Sequence, residues 1–64
     1  MKRRAFERWL TDHGCSLSRE GARHSWYINP TLNRRSSVPR HAEINDALIR
    51  KICGDLGIER PGHT

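Results

Sequence analysis

The sequence has no long apolar run, and this absence excludes a membrane-spanning helix, which needs about 20 consecutive apolar residues. The chain opens on the basic segment Met1-Lys2-Arg3-Arg4, but a helical pattern with an acidic residue follows it, where a secretory signal peptide would continue with an apolar stretch. We therefore expect a cytoplasmic protein. A chain of 64 residues predicts one domain with a small core and no deep pocket, so any activity should lie on a surface or in a groove.

Groups that could hold a metal ion or a disulfide framework are scarce. The only cysteines, Cys15 and Cys53, are far apart in the sequence and have no metal-ligand spacing around them. The sequence also has no His-x-x-x-His motif and no paired carboxylates. We therefore expect no metal ion, no cofactor, and two reduced, partly buried thiols.

Lysine is rare as well, because ten of the twelve cationic side chains are arginine. With seven acidic residues the formal net charge is +5. The planar guanidinium group matches phosphate geometry better than the ammonium group of lysine does. This balance favours a nucleic acid or an acidic protein as the partner, and charge alone does not choose between them.

Hydrophobic periodicity predicts two helices that flank three short strands. The first helix is predicted over residues 3–13, with Gly14 as a left-handed C-cap. The second helix is predicted from the N-cap Asn45 to Gly57. Alternation and turn residues predict strands at 15–19, 24–29 and 34–38.

Short connections between these strands predict an antiparallel meander. Each helix has one apolar stripe to bury, so both helices should pack on the same face of the sheet. The predicted fold class is α+β in the order α-β-β-β-α, with residues 1–64 in a single domain and residues 59–64 as a flexible tail.

The segment from Gly21 to Pro30 places one histidine, His24, directly after a turn and at the start of the best strand in the chain. Histidine titrates near neutral pH, and arginines precede and follow this one. Proton chemistry beside phosphate-binding charge suggests a ribonuclease. The alternative is a structural histidine that closes the turn or pairs with Glu20.

Strict alternation along this strand puts His24 on the same face as Trp26 and Ile28, which we expect in the core. His24 should then lie at the open edge of that face, where a substrate can reach it. Tyr27 should lie on the opposite, exposed face, where its ring could stack on an RNA base.

Four motifs occur together, in one order. They are FERWL at 6–10 followed by Gly14, Gly21 before His24, RRSSVPRH at 34–41, and LIRKI at 48–52 with DLGI at 55–58. In this order they resemble the HicA family of bacterial toxins over about residues 6–58. That family consists of small ribosome-independent mRNA interferases with a fold like that of double-stranded-RNA-binding domains.

The resemblance implies that His24 is the catalytic histidine of an endoribonuclease, and that a HicB-type antitoxin covers the site. Metal-independent cleavage of RNA would leave 2′,3′-cyclic phosphate ends, with the histidine transferring protons and arginines stabilising the phosphate. We predict RNA contacts for the cations around the histidine and for one aromatic residue: Arg23, Arg34, Arg35, Arg40 and Tyr27.

Two other functions fit the charge of the chain. A non-catalytic double-stranded-RNA-binding module would use helix and loop cations to span two minor grooves, but Lys51 is the only lysine outside the N-terminus. A DNA-binding regulator is disfavoured because the sequence has no helix-turn-helix spacing.

Overall fold

The structure is a computed structural model that describes residues 1–62. Its elements are helix α1 (Arg3–Asp12), strands β1 (Ser16–Glu20), β2 (His24–Asn29) and β3 (Arg34–Pro39), and helix α2 (Asp46–Leu56). The sheet is antiparallel in the order β1-β2-β3, which confirms the predicted α+β class and the α-β-β-β-α order. No helix in the described range is long and apolar enough to cross a bilayer.

The helix ends carry the predicted caps. Gly14 follows α1 with φ +84°, and Gly57 follows α2 with φ +73°, a left-handed conformation that costs glycine no steric clash with its own backbone. At the start of α2, the side chain of Asn45 accepts a hydrogen bond of 2.9 Å from the backbone N–H of Leu48. These local signals explain why the element bounds agree with the sequence to within about two residues.

Both helices pack on the same face of the sheet, as predicted. The core combines apolar residues of α1 and α2 with two strand residues, one residue of the loop before α2 and both thiols; its members are Phe6, Leu10, Cys15, Tyr27, Val38, Ile44, Ile49, Ile52, Cys53 and Leu56. Both cysteines are free and buried, and burial raises the pKa of the Cys53 thiol to about 11. Both thiols are more fully buried than the partial burial that we expected.

The sidedness of β2 is the reverse of what we predicted. Ser25, Tyr27 and Asn29 are buried against the helices, whereas the side chain of Trp26 is 39% exposed and Ile28 is only half-buried. The expectation that Trp26 and Ile28 lie in the core is therefore wrong. The expectation that Tyr27 lies on the exposed face is wrong as well.

The buried face is the more polar one because the helices satisfy its polar groups. The hydroxyl of Tyr27 donates a hydrogen bond of 2.9 Å to Glu7, and the amide of Asn29 donates one of 2.8 Å to the carbonyl of Leu56 at the end of α2. Burying a polar group costs little when its hydrogen bonds are replaced in this way. Alternation fixes the period of a strand, and these partners decide which phase faces inwards.

Strand β1 contains a bulge at Ser18, because Leu17 pairs with Tyr27 while Arg19 pairs with Trp26. One extra residue in a strand shifts every later side chain to the opposite face. The bulge therefore turns Arg19 away from the helices and turns Glu20 towards them.

The C-terminal segment begins in contact with α1. The indole N–H of Trp9 donates a hydrogen bond of 2.9 Å to the carbonyl of Glu59, and the Trp9 ring stacks on His13 with centroids 4.0 Å apart. The predicted tail at 59–64 thus starts from a residue held by a helix. His63, which we assigned to that tail, lies outside the described residues.

Candidate functional site

The helices cover one face of the sheet, and we call the other one the open face. Its residues follow from the strand register, because directly paired residues point to the same side. They are Ser16 and Arg19 of β1, His24, Trp26 and Ile28 of β2, and Arg35, Ser37 and Pro39 of β3. A groove of ≈ 540 Å³ covers the part of this face from Trp26 towards the turn between β2 and β3 and is lined by Ser18, Arg19, Trp26, Ile28, Asn33, Arg34 and Arg35. His24 lies outside this groove, two positions before Trp26.

His24 is exposed at the end of β2 where the turn from β1 enters. Its carbonyl accepts a hydrogen bond of 2.8 Å from the N–H of Gly21, which closes that turn. A Cβ atom at Gly21 would lie 3.1 Å from the same carbonyl oxygen, so glycine is needed here for close approach and not for a positive φ. The short turn fixes the backbone from which the imidazole projects.

Arg40 braces this turn from the end of β3. Its backbone N–H donates to the carbonyl of Arg23 at 3.2 Å, and its Nη1 donates to the carbonyl of Gly21 at 3.1 Å. Its Nη2 also lies 3.9 Å from Oε2 of Glu20. Arg40 thus supports the loop that presents His24, and it brings a half-exposed guanidinium to the same end of the sheet.

The side chain of Ser25, next to His24, is hydrogen-bonded to two charged groups on the helix side of the sheet. Its hydroxyl donates a short hydrogen bond to Oε1 of Glu20 and accepts one of 2.9 Å from Nη2 of Arg3. The Ser25 hydroxyl, Arg40 and Arg3 hold the pKa of the Glu20 carboxyl below its usual range. Among the described residues Glu20 therefore binds Ser25 and Arg40, so the alternative in which His24 pairs with Glu20 is not observed.

Tyr27 belongs to the support of the sheet and not to its open surface. Its side chain is 5% exposed, and burial together with the Glu7 carboxylate raises its pKa to about 12. Nη2 of Arg3 lies 3.3 Å from the Glu7 oxygen that Tyr27 binds, so one guanidinium links Tyr27 to Ser25. Base stacking on the open face is not available to a ring in this position.

Arg34 and Arg35 lie on opposite faces, as alternation predicts. Arg35 pairs with Ile28 on the open face, whereas Arg34 pairs with the buried Asn29. The Arg34 guanidinium reaches the end of α2, where its Nη1 would be 3.0 Å from a Cβ atom at Gly57. Arg34 lines the groove beside Asn33, but its guanidinium is at the end of α2. Arg35 is the member of this pair that projects from the same face as His24.

A family model described as "HicA toxin of bacterial toxin-antitoxin" matches residues 3–58. The chain belongs to the HicA toxin family. It is thus a toxin of the toxin–antitoxin type, in a family whose members are generally ribonucleases. Comparisons with curated proteins and with solved structures returned no significant match.

Two side chains of this HicA-family chain lie at the centre of the open face although the sequence did not single them out for it. Trp26 was assigned to the core, and Arg19 was not selected. Arg19 reaches the face only because of the bulge at Ser18, which no local pattern indicates. No local pattern indicates Trp26 either, because the partners that hold Ser25 and Asn29 on the helix side, Arg3 and Leu56, are distant in sequence.

Among residues 1–62, the open face of the HicA-family chain carries cations and no carboxylate. Arg19 and Arg35 lie on it, and Arg23 and Arg40 lie at its His24 end, whereas all seven acidic residues lie on the helices, the helix side of β1, the loop before α2 or the C-terminal segment. A surface of one sign attracts a polyanion. In the described range, no three side chains of His, Cys, Asp or Glu are grouped so that they could hold a metal ion.

Proposed function

We propose that the chain is an endoribonuclease of the mRNA interferase type, in which His24 is the general acid and base. The observation that carries the proposal is the exposure of His24 on a cationic face without carboxylates, in a chain of the HicA family. An exposed imidazole can reach a substrate proton, and its two ring nitrogens allow it both to accept and to donate one. An mRNA substrate makes the cytoplasm the site of action.

The reaction uses the nucleophile that RNA itself carries. The 2′-hydroxyl oxygen forms a bond to phosphorus while its proton passes to a base, and the bond from phosphorus to the 5′-oxygen breaks. The leaving oxygen takes up a proton and becomes a 5′-hydroxyl, and the other fragment keeps a 2′,3′-cyclic phosphate. Proton transfer by a positioned histidine accelerates such a step about 10²–10⁴-fold.

The negative charge that develops on the phosphate oxygens needs a cationic partner. Arg35 on the open face, with Arg23 and Arg40 at the His24 end, supplies guanidinium groups for this purpose. Arg34 is not among these groups, because its guanidinium lies at the end of α2 on the helix side of the sheet. His41, exposed in the loop after β3 at the same end of the sheet, is a candidate for the second proton transfer.

A HicB-type antitoxin is the proposed protein partner. The open face is the cationic surface that the substrate would occupy, so an antitoxin that covers it with acidic side chains would exclude RNA by competition. Neutralisation of this kind needs no change in the shape of the toxin.

The test is RNA cleavage by the purified chain in excess chelator, compared with a His24→Gln variant and a His41→Ala variant. We expect the wild type to cleave single-stranded RNA and leave 2′,3′-cyclic phosphate ends. We expect His24→Gln to lose at least about 10²-fold in rate. An oligonucleotide with 2′-deoxyribose at the cleaved position should resist cleavage, because the nucleophile is missing.

The outcomes separate the candidate functions. Binding without cleavage by the wild type would refute the nuclease proposal and favour an RNA-binding module. Equal cleavage by the wild type and His24→Gln would move the proton transfer away from His24. Full activity of the His24→Gln variant together with loss in His41→Ala would assign that role to His41.

A further inference from the structure

The open face has one feature that proton transfer and phosphate binding do not use, which is the exposed indole of Trp26. We propose that Trp26 is a stacking platform for an unpaired base next to the scissile phosphate, so that the site selects single-stranded over duplex RNA. This inference deepens the proposed nuclease function and rests on it.

The first observation is the exposure of a large apolar side chain, that of Trp26. Tryptophan is highly buried on average, yet Trp26 leaves 39% of its surface to solvent while Trp9 packs against the core. Trp26 lies in the central strand, in the groove of the open face. The ring therefore offers a flat apolar surface in the middle of the face and not at its margin.

The second observation is the position of Trp26 relative to His24. The two residues are two positions apart on the same face of β2, which places their Cα atoms about 7 Å apart. Adjacent nucleotides of an extended single strand can span this separation. A base on Trp26 would thus hold the neighbouring phosphate at the imidazole of His24.

The third observation is the arrangement of charge around the ring. On β1, Arg19 is the direct partner of Trp26. On β3, Ser37 is the direct partner of Trp26, and Arg35 lies two residues before Ser37, diagonally across from Trp26. A base-stacking ring between guanidinium groups is the combination that single-strand binding sites use. Because these residues bring no carboxylate, the surface attracts a polyanion, and the exposed ring between the cations adds a contact that a nucleic-acid base can use.

Single strands are favoured because stacking needs a free base face. In duplex RNA each base is already stacked on its neighbours, and the ring of Trp26 cannot be inserted without breaking pairs. Loss of such a contact weakens binding of unpaired nucleic acid by about 5- to 150-fold. Binding of a duplex, which depends on phosphates alone, should hardly change.

The experiment measures binding without cleavage. The probe is a fully 2′-O-methylated RNA oligonucleotide, which has no free 2′-hydroxyl, offered as a single strand or as a duplex of the same sequence. Affinities are measured for the wild type, Trp26→Ala, Trp26→Phe and the control Trp9→Phe, and tryptophan fluorescence is recorded during each titration. Circular dichroism melting confirms that each variant is folded.

We expect Trp26→Ala to weaken single-strand binding about 5- to 150-fold and to leave duplex binding within about twofold. Trp26→Phe should retain most of the affinity, because a smaller ring still stacks. Single-stranded RNA should quench the fluorescence of the Trp9→Phe protein, in which Trp26 is the remaining tryptophan, and should not quench that of Trp26→Phe.

Several results would overturn the inference. They are unchanged single-strand affinity in Trp26→Ala, an equal loss for single strand and duplex, and quenching that persists in Trp26→Phe. A dimer that becomes monomeric in Trp26→Ala with unchanged RNA affinity would overturn it too and would assign the face to protein association.

Failure of this inference is distinguishable from failure of the proposed nuclease. Cleavage that depends on His24 but not on Trp26 would overturn the stacking platform alone. Single-strand binding that depends on Trp26, in a protein that cleaves no RNA, would refute the nuclease alone.

Discussion

The hydroxyl of Tyr27 donates a hydrogen bond of 2.9 Å to Oε2 of Glu7, and this contact ties the central strand of the sheet to helix α1. We expect Tyr27→Phe to lower the free energy of unfolding by about 1–2 kcal/mol, since a hydrogen bond to a charged group is lost while Arg3 still pairs with Glu7. Urea unfolding measures the change. Trp26→Phe, an exposed aromatic replacement, should change stability by less than about 0.5 kcal/mol. Equal effects of the two substitutions would contradict this assignment of Tyr27.

The same contact predicts how Tyr27 titrates. Burial and the Glu7 carboxylate raise its pKa from 10.0 to about 12, so the folded state holds the phenolic proton more tightly than the unfolded state does. The stability that this proton contributes is complete below pH 10 and is lost as the pH rises towards 12.

Tyr27 is the only tyrosine in the chain, so its ionisation can be followed by absorbance without interference from another. We expect little tyrosinate in the folded protein at about pH 11, where the chain unfolded in urea is mostly ionised. Glu7→Gln should lower the pKa of Tyr27 in the folded state, because the carboxylate that raises it is removed. A folded protein that titrates near 10 would show that the ring is solvated.

The elements and their caps could be predicted because their signals are local. Gly14, Asn45 and Gly57 each act on the helix next to them in sequence, and the structure has each one as predicted. The location of His24 at a turn and the separation of Arg34 from Arg35 are local in the same sense, since neighbours in sequence decide both.

The composition of the open face could not be predicted because distant partners decide it. The inward phase of β2 depends on Glu7, which lies 20 positions before Tyr27, and on the carbonyl of Leu56, which lies 27 positions after Asn29. A prediction from apolar character alone therefore placed Trp26 in the core and Tyr27 on the exposed face, and the structure has the reverse. Arg19 was missed for a second reason, since a bulge changes the phase of a strand in its middle.

The opposite orientations of Arg34 and Arg35 provide a matched pair for the charge. We expect Arg35→Gln to weaken single-stranded RNA binding and to reduce the slope of log affinity against log salt by about 0.7, the loss of roughly one phosphate contact. Arg34→Gln removes the same charge from the helix side and should leave the slope nearly unchanged. Titrations of 2′-O-methylated RNA at several salt concentrations measure both. Identical slopes for the two variants would show that overall charge, and not the open face, governs binding.

The two glycines at the end of α2 predict opposite effects of an added methyl group. Gly57 has φ +73°, and a Cβ atom there would lie 2.6 Å from Cδ1 of Leu32, so Gly57→Ala should lower the free energy of unfolding by about 1–2 kcal/mol. Gly54 lies inside the helix with no heavy atom within 4 Å of the added position. Gly54→Ala should therefore raise stability by about 0.5–1 kcal/mol. Urea unfolding of both variants is the measurement, and a destabilising Gly54→Ala would contradict the open space described at that position.

Glu20 makes the support of His24 sensitive to acid. The Ser25 hydroxyl, Arg40 and Arg3 hold the pKa of the Glu20 carboxyl below its ordinary value of 4.5, so the folded state favours the carboxylate more than the unfolded state does. The resulting stabilisation is present above pH 4.5 and is lost as the pH falls through the lower, folded-state value. Below that point Ser25 and Arg40 lose a charged partner at the turn that presents His24.

A double-mutant cycle of Glu20→Gln and Ser25→Ala isolates this contribution, with unfolding measured at neutral pH and at a series of pH values below 4.5. Glu20→Gln should lower stability at neutral pH and change it progressively less as the pH falls below 4.5, because the unfolded state then takes up a proton that the folded carboxylate resists. With Ser25→Ala in place, the further effect of Glu20→Gln at neutral pH should shrink, since the largest cause of the lowered pKa is gone. Full additivity of the two substitutions at neutral pH would mean that Glu20 and Ser25 act independently, and the acid sensitivity of the turn would then need another carboxylate as its source.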